Sequence, residues 1–441
     1  MMPFQKPAAA FEPVNSSSSA GRTGITIPIS NLQGESQGSL LRKDSLSENA
    51  VPASRTFGET YDDYMSDPTH EWSPRTRLAY VTTRRLAVAV ISKDTPVRAI
   101  TRETCREFVR VLQALPRNAS KVYPNLTPQE AVAKSREEGR TDFISPANVN
   151  TYLNKLSGVL NWAVRGGIID RNPASGFRVA DQVHRRDKRR PFSSQQLQRI
   201  FAAPLYVGCR DDQHGFAMPG PKRPRNARYW VPIIGLYSGM RLNEICQLDV
   251  DDVQSIESIA CFVVTQLSRT SDDKRLKTAS SERVVPLHPA LLELGFLDFV
   301  EKRRRSGEHK LFAEVPVGAT GYRATTFSPW FTRFLRSAGA AASKTCFHSF
   351  RHTFRDGLRD ARVDREIVMA LGGWSSGSSS GISDVYGNGH RVTTLSEELS
   401  RLRFPTVDLD KLNDRSENPP PHFSVERRSP SEMRSTGKRP A

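Results

Sequence analysis

The stretch that decides the fold is residues 229–253, YWVPIIGLYSGMRLNEICQLDVDDV. Its first part is apolar throughout, which predicts a buried helix, and Ser238-Gly239 predicts a turn. Apolar residues then recur at three- and four-residue spacing, which predicts a second helix that begins near Arg241. A cation at a helix start opposes the helix dipole, so Arg241 is a candidate functional residue.

Two β-rich segments follow this helical pair. SIACFVVTQL (258–267) and ERVVPLHP (282–289) are rich in β-branched and aromatic residues, and the segment between them is polar. The pattern predicts a β-hairpin with a basic tip. The remaining segments to about residue 410 have helical spacing, so this region is expected to be mainly α with one small antiparallel sheet.

The region before it is predicted to be a small all-helical bundle, residues 61–183. RTRLAYVTTRRLAVAVI (75–91), ITRETCREFVRVLQAL (100–115) and SPANVNTYLNKLSGVLNWAVRGGII (145–169) each place apolar residues at helical spacing. Ser145-Pro146 is a typical helix start. The bundle has no dense cluster of His, Asp, Glu or Cys, so we assign it binding rather than chemistry.

The rest of the chain divides into tails and a linker. Residues 1–60 and 411–441 are polar and broken by Pro and Gly, and we expect both tails to be disordered. A basic linker, 184–192, joins the bundle to a second domain, 193–410. A basic run of this kind is either a solvated connector or a DNA-backbone contact. Between two domains of a basic protein we expect the contact, through Arg185, Arg186, Lys188, Arg189 and Arg190.

Composition narrows the class of function. The 441 residues contain 64 Lys and Arg against 47 Asp and Glu, a net charge of +17, which favours a polyanionic partner such as nucleic acid. The sequence shows no apolar run of about 20 residues and no secretory signal. The five cysteines form no C-x-x-C pair, which excludes a common zinc ribbon and a disulfide-rich secreted domain. We therefore expect a cytoplasmic, nucleoid-associated protein without membrane contact.

Seven residues in four short segments could carry chemistry. His348 and Arg351 form H-x-x-R in FHSFRHTF, a spacing that puts both on one helical face. The full set is Arg241, Glu244, Lys277, His348, Arg351, Trp374 and Tyr386.

In this order and spacing the set resembles the tyrosine recombinase (phage integrase) family, over roughly residues 60–400. The family pattern is an Arg in a T/S-G-x-R-x-x-E turn, a hairpin Lys, H-x-x-R, a His or Trp after Leu-Gly, and then a Tyr. The resemblance implies a helical core-binding domain followed by a mostly α catalytic domain. It also implies a site-specific recombinase of double-stranded DNA, encoded by a mobile element, that needs neither metal nor ATP. Family members work as tetramers on DNA, in some cases with accessory DNA-bending proteins.

The two arginines fit the charge of the reaction. A phosphodiester gains negative charge on its non-bridging oxygens in the transition state, and guanidiniums are fixed, permanently charged donors. By the resemblance, Arg241 and Arg351 bind these oxygens. Glu244 supports Arg241, and the Trp374 indole donates a hydrogen bond but transfers no proton.

Three further residues would carry out the attack on phosphorus and the two proton transfers. By the resemblance, Tyr386 attacks phosphorus and leaves a 3′-phosphotyrosine and a free 5′-hydroxyl. His348 is suited to accept the tyrosine proton, and Lys277 could protonate the departing 5′-oxygen. Lys274 lies in the same hairpin, so either lysine could be the proton donor.

Other functions share parts of this pattern. A type IB topoisomerase has the same residues but relaxes supercoils, and a DNA-binding relative could keep the fold without the reaction. A basic RNA-binding scaffold would show aromatic-basic stacking motifs, which the sequence lacks. The interval from Trp374 to Tyr386, twelve residues, exceeds the family's usual spacing.

Overall fold

The computed structural model describes residues 55–183, 189–268, 273–276, 281–374 and 390–413. Two hydrophobic cores lie in this part of the chain, one built from residues 57–174 and one from residues 192–412. Most of the predicted N-terminal tail, up to residue 54, and residues 414–441 lie outside the described residues. So do 184–188 of the linker, Lys277 and Tyr386.

The first core is a helical bundle, as predicted from the 3.6-residue spacing. Thr101 caps its helix through a reciprocal bond with Thr104, and Ser145 caps the longest helix before Pro146. Phe57, Phe108 and Leu156 are completely buried in the core. The helices are α1 (Phe57–Ser66), α2 (Pro74–Ile91), α3 (Arg102–Ala114), α4 (Ala119–Val122), α5 (Pro128–Glu137) and α6 (Pro146–Arg165). Helix α1 therefore begins within the last residues of the tail predicted to be disordered.

The second core combines helices with one small sheet, as predicted. The helices are α7 (Ser194–Phe201), α8 (Pro204–Val207), α9 (Ala227–Ser238), α10 (Leu242–Cys246), α11 (Pro289–Glu293), α12 (Phe296–Arg305), α13 (Ala324–Ser337), α14 (His348–Asp360), α15 (Arg365–Gly372), α16 (Val392–Leu399) and α17 (Leu409–Asn413). The strands are β1 (Val253–Ile256), β2 (Ile259–Val264) and β3 (Arg283–Pro286). None of the described helices is both long and apolar enough to cross a membrane.

The sheet has one strand more than the predicted hairpin. All neighbours are antiparallel in the order β1-β2-β3, with Val253 opposite Phe262 and Phe262 opposite Val285. The helix predicted to begin near Arg241 is α10, which ends at Cys246 after five residues. The reason is local: Asp249 and Asp252 form a reciprocal cap on a short 3-10 turn, which ends helical structure before β1.

The packing of α9 against α14 brings two of the candidate segments together. Gly235 on α9 leaves no room for a side chain, since an added Cβ would lie 2.8 Å from the ring of Phe347. Gly239 ends α9 with φ at +61°, where a Cβ would lie only 2.3 Å from Phe354 on α14. Only glycine suits both the backbone conformation and this close approach. The turn that precedes Arg241 is thus fixed against the helix of His348 and Arg351.

Candidate active site

Arg241 stands at the start of α10 and is held by Glu244. Its Nη1 donates to Oε1 of Glu244 at 2.5 Å and to Oγ of Ser281 at 3.1 Å, while the Arg241 backbone N–H donates to Oε2 of Glu244 at 2.9 Å. Glu244 is buried, whereas the Arg241 side chain keeps 25% of its surface exposed. The carboxylate therefore fixes the guanidinium and offsets the unfavourable helix dipole, while the exposed part of the arginine stays available to a ligand.

Arg283, which sequence reasoning missed, is the second partner of Glu244. Its Nη2 donates to Oε2 of Glu244 at 2.9 Å, and its Nη1 donates to the carbonyl of Ser281 at 2.9 Å. Burial acts to raise the pKa of Glu244, but the two guanidiniums outweigh burial and hold that pKa below its usual value. A charged residue at the start of the apolar strand ERVVPL was the available signal, because a buried charge needs a partner.

Arg351 is buried and bonded to two backbone carbonyls. Its Nη1 donates to Gly239 O at 2.5 Å, and its Nη2 donates to Gly372 O. Burial, and then the guanidiniums of Arg241 and Arg283, lower the pKa of Arg351 to about 9. It therefore remains a cation at neutral pH.

Three arginines converge on the carboxyl end of α15. Arg283 donates to Leu371 O at 2.9 Å, Arg351 donates to Gly372 O, and Arg241 donates to Gly373 O at 3.4 Å. These carbonyls form the negative end of a helix dipole, which attracts cations. Three guanidiniums and one carboxylate give this cluster a net positive charge, which suits an anionic ligand such as a phosphodiester.

His348 begins α14 one turn before Arg351. Burial lowers the pKa of His348 to about 4, with further lowering by His352, Arg351, Arg189 and Arg241. At neutral pH its imidazole is uncharged and can accept a proton. His352 lies edge-on to His348 with ring centroids 5.2 Å apart.

Trp374 lies against Arg351. The centre of the Arg351 guanidinium is 4.3 Å from the Trp374 ring centroid, a cation–π contact. A Cβ on Gly372 would come within 1.8 Å of this indole, so the last residue of α15 leaves space for the ring. The described residues thus bring together five of the seven candidates: Arg241, Glu244, His348, Arg351 and Trp374.

The structure describes one of the two hairpin lysines, Lys274. Lys274 is buried, and its Nζ lies 2.7 Å from both carboxylate oxygens of Asp252. A lysine held in this way has no free path to a substrate oxygen. Lys277 and the nucleophile candidate Tyr386 lie outside the described residues.

The last part of the linker, Arg189 and Arg190, contacts the residues just before α14. Arg189 Nη1 donates to Cys346 Sγ at 2.9 Å, and the Arg190 backbone N–H donates to Lys344 O at 3.1 Å. Arg185, Arg186 and Lys188 lie outside the described residues. No group of three His, Cys, Asp or Glu that could hold a metal ion occurs among the residues that are described.

Comparison with solved structures finds similar proteins at low identity. The integrase of the Tn1549 transposon, in complex with a circular intermediate DNA, is 16% identical; the match covers 79% of this chain and 99% of that chain, with a TM-score of 0.49. Lambda integrase, as a tetramer bound to a Holliday junction, is 16% identical, with 74% and 80% covered and a TM-score of 0.46. The integrase from mycobacterium phage Brujita is 17% identical, with 81% and 99% covered and a TM-score of 0.31. No curated protein sequence matches the chain.

The family comparison addresses the second domain directly. Residues 227–382 match the model of the phage integrase family. The matched segment includes Arg241, Lys277, His348 and Arg351, and it ends shortly before Tyr386. Residues 227–382 of the second domain are therefore similar in sequence to the phage integrase family.

Proposed function

We propose that the protein cuts and rejoins duplex DNA at a specific site through a 3′-phosphotyrosine intermediate, without metal or ATP. The observation that carries the proposal is the convergence of Arg241 and Arg351 on successive carbonyls at the end of α15, with a neutral His348 one turn before Arg351. This arrangement offers two fixed cations and one proton acceptor to a single phosphodiester.

The arginine pair would bind the non-bridging oxygens. Both guanidiniums are held by the protein before substrate arrives, so little reorganisation accompanies the gain of charge on the phosphate. Arg351 still has N–H groups beyond the two bonded to carbonyls, since a guanidinium carries five. The Trp374 ring covers one face of Arg351 and limits its movement.

The proton transfers would run through two residues on opposite sides of phosphorus. The Tyr386 oxygen forms the new bond to phosphorus and passes its proton to His348. The bond from phosphorus to the 5′-oxygen breaks, and Lys277 gives that oxygen a proton. The ion pairs of Lys274 favour Lys277 over Lys274 for this role. Religation reverses both transfers.

We further propose double-stranded DNA as the partner, contacted by both domains and by the linker cations Arg185, Arg186, Lys188, Arg189 and Arg190. Self-association on DNA follows from the reaction class, because strand exchange between two sites needs several active sites. The net charge of +17 supports a polyanionic partner.

A covalent-capture experiment tests the proposal. The full chain is incubated with a pool of nicked duplexes of randomised sequence in EDTA and without nucleotide, and SDS-stable complexes are isolated and sequenced. We expect one enriched site, protein linked to a 3′ end and a free 5′-hydroxyl. A covalent link to a 5′ end, or a strict need for a divalent metal, would refute the proposed reaction.

A further inference from the structure

A buried cluster of six alternating charges lies beside the β2–β3 connection. Lys274 is its centre: the side chain is 2% exposed, and Nζ contacts Asp252 at 2.7 Å and Asp249 at 3.3 Å. Lys310 bridges Asp249 at 2.7 Å and Asp273 at 2.8 Å, and Arg323 bonds Asp273 at 2.7 Å. The members, three carboxylates and three cations, are Asp249, Asp252, Asp273, Lys274, Lys310 and Arg323; we call them the ion cluster.

A contribution to folding stability does not by itself account for a buried ion cluster. Removing charges from water is costly, and well-packed apolar residues of similar size often give equal or greater stability than a buried ion pair. What ion pairs supply is a fixed geometry, since each partner must keep its place or leave a charge uncompensated. The ion cluster therefore fixes Asp273 and Lys274 relative to the 3-10 turn before β1 and the start of α13.

Segment 273–276, which contains Asp273 and Lys274, is also bonded to α10, the helix that begins directly after Arg241. The Arg275 backbone N–H donates to Oε1 of Gln247 at 2.9 Å, and Asn243 Nδ2 donates to that same oxygen at 2.7 Å. Asn243 is on α10 and Gln247 is its C-cap, so segment 273–276 is tied to the element that begins beside Arg241. On the other side, Ser281 is buried and accepts a hydrogen bond from Arg241 itself.

Lys277 lies in sequence between these two fixed points. It follows Lys274 by three positions and precedes Ser281 by four. A fully extended chain spans about 3.3–3.6 Å per residue, so three positions reach at most about 11 Å and four positions at most about 14 Å. Any shift of Asp273 and Lys274 changes where Lys277 can reach.

We propose that the ion cluster positions Lys277 for protonation of the leaving 5′-oxygen, with Asp273 and Lys274 as its key positioning residues. The inference rests on the proposed function, because it presupposes that Lys277 is the proton donor. The cluster does not touch the substrate. It acts by holding the base of the connection that carries the lysine.

Changing the leaving group distinguishes a misplaced proton donor from a general loss of structure. With a 5′-bridging phosphorothiolate, the phosphorus–sulfur bond breaks and the departing thiolate needs no proton. A variant whose only defect is a misplaced proton donor should recover on that substrate. A variant with a distorted arginine pair or a partly unfolded domain should stay slow on it.

The experiment compares single-turnover cleavage of the captured site with an oxygen or a sulfur at the scissile 5′ position. Asp273→Asn and Lys274→Met should slow cleavage of the oxygen substrate about tenfold to a hundredfold, since small misplacements have effects of that size. Both should return to within about threefold of the parent rate on the sulfur substrate, as expected when only general acid catalysis is impaired. Glu314→Gln, which breaks the more exposed ion pair of Glu314 with Arg303 in the same domain, is the control and should stay near the parent rate on both substrates.

The Lys277→Ala variant separates the proposed proton-donor role of Lys277 from the proposed positioning role of the ion cluster. If it is rescued by sulfur and Asp273→Asn is slow on both substrates, the positioning role is overturned while the proposed function stands. If Lys277→Ala is not rescued, the proton-donor role of Lys277 fails and the inference fails with it. Rescue of Lys274→Met alone would make Lys274 itself the donor and would also overturn the inference. Should Lys274→Met not fold, as judged by circular dichroism, the isosteric Asp273→Asn decides.

Discussion

Arg351 shows how a residue can be both structural and chemical. It is buried, both of its terminal nitrogens donate to carbonyls, and the Trp374 indole covers it. These contacts fix the guanidinium before any phosphate arrives. The sequence motif H-x-x-R identifies the residue, but only the fold shows that it joins α14 to the ends of α9 and α15.

Replacing Arg351 should separate catalysis from binding. Arg351→Ala should reduce cleavage about 10²–10³-fold, the usual effect of removing one preorganised donor to a developing anion. DNA affinity should stay within about tenfold, because one phosphate contact among many changes the salt slope by about one. Cleavage of the captured site and a binding titration measure the two effects. Cleavage above a few per cent of the parent rate would contradict the role, and circular dichroism controls for folding.

The neutral imidazole of His348 should appear in the pH profile. Its pKa is lowered to about 4, so the histidine can accept a proton at any pH above that value. At subsaturating DNA, the cleavage rate should therefore be flat from about pH 5 to about pH 7 and fall only on further acidification, since this regime reports the free enzyme. His348→Gln should be slow throughout and should not show this acid limb. An acid limb centred near an ordinary histidine pKa of about 6.5 would show that burial does not keep His348 neutral.

The element that organises the site is the turn between α9 and α10. Gly239 adopts a left-handed conformation, touches Phe354 on α14 and offers its carbonyl to Arg351. The segment of Arg241 and the helix of His348 and Arg351 therefore both depend on one residue without a side chain.

Gly239→Ala should be severely destabilising, and a second glycine provides the matched control. At both Gly239 (φ +61°) and Gly339 (φ +64°) alanine incurs the cost of a positive φ, about 1 kcal/mol. At Gly339 an added Cβ meets nothing within 4 Å, whereas at Gly239 it would lie 2.3 Å from the Phe354 ring. Urea unfolding should show a decrease in the free energy of unfolding that is about 1–3 kcal/mol larger for Gly239→Ala, and only that variant should fail to cleave DNA. Equal decreases would show that the contact with Phe354 is unimportant.

Sequence reasoning was most successful where structure depends on neighbours along the chain. The helix start at Ser145-Pro146 was predicted and is confirmed, because its capping bond spans only three residues. Strand β1 was missed, since its four residues become a strand only by pairing with β2. Arg283 was missed for the same reason: its partners Glu244 and Leu371 are distant in sequence. The placement of Lys277 and Tyr386 stays a prediction from the family pattern.

At the scale of the whole molecule, charge sets the expected behaviour. A net charge of +17 predicts DNA binding that weakens steeply with salt. The linker cations form a run in the sequence. Among the described residues, many cations are paired with carboxylates, such as Arg304 with Glu301 and Lys411 with Asp408.

Two triple variants of equal charge test whether the linker contacts DNA. Replacing Arg185, Arg186 and Lys188 by Ala should reduce the slope of log K against log salt by about 0.9 for each phosphate that the linker no longer neutralises. Replacing Arg304, Arg305 and Lys411 by Ala removes the same charge from ion-paired positions, and we expect a slope change below about one unit. Fluorescence anisotropy over a salt series measures both slopes. Equal changes would mean that net charge, rather than the linker, governs binding.

The central claim is that Tyr386 becomes covalently linked to DNA, and peptide mapping tests it most directly. The SDS-stable complex formed on the captured site is digested with protease and nuclease, and the nucleotide-bearing peptide is identified by mass spectrometry. The account predicts a single adduct on Tyr386, a phosphodiester to a 3′ end, and no adduct from Tyr386→Phe, which should still bind the site. An adduct on any other residue, or an undiminished adduct from Tyr386→Phe, would contradict the account.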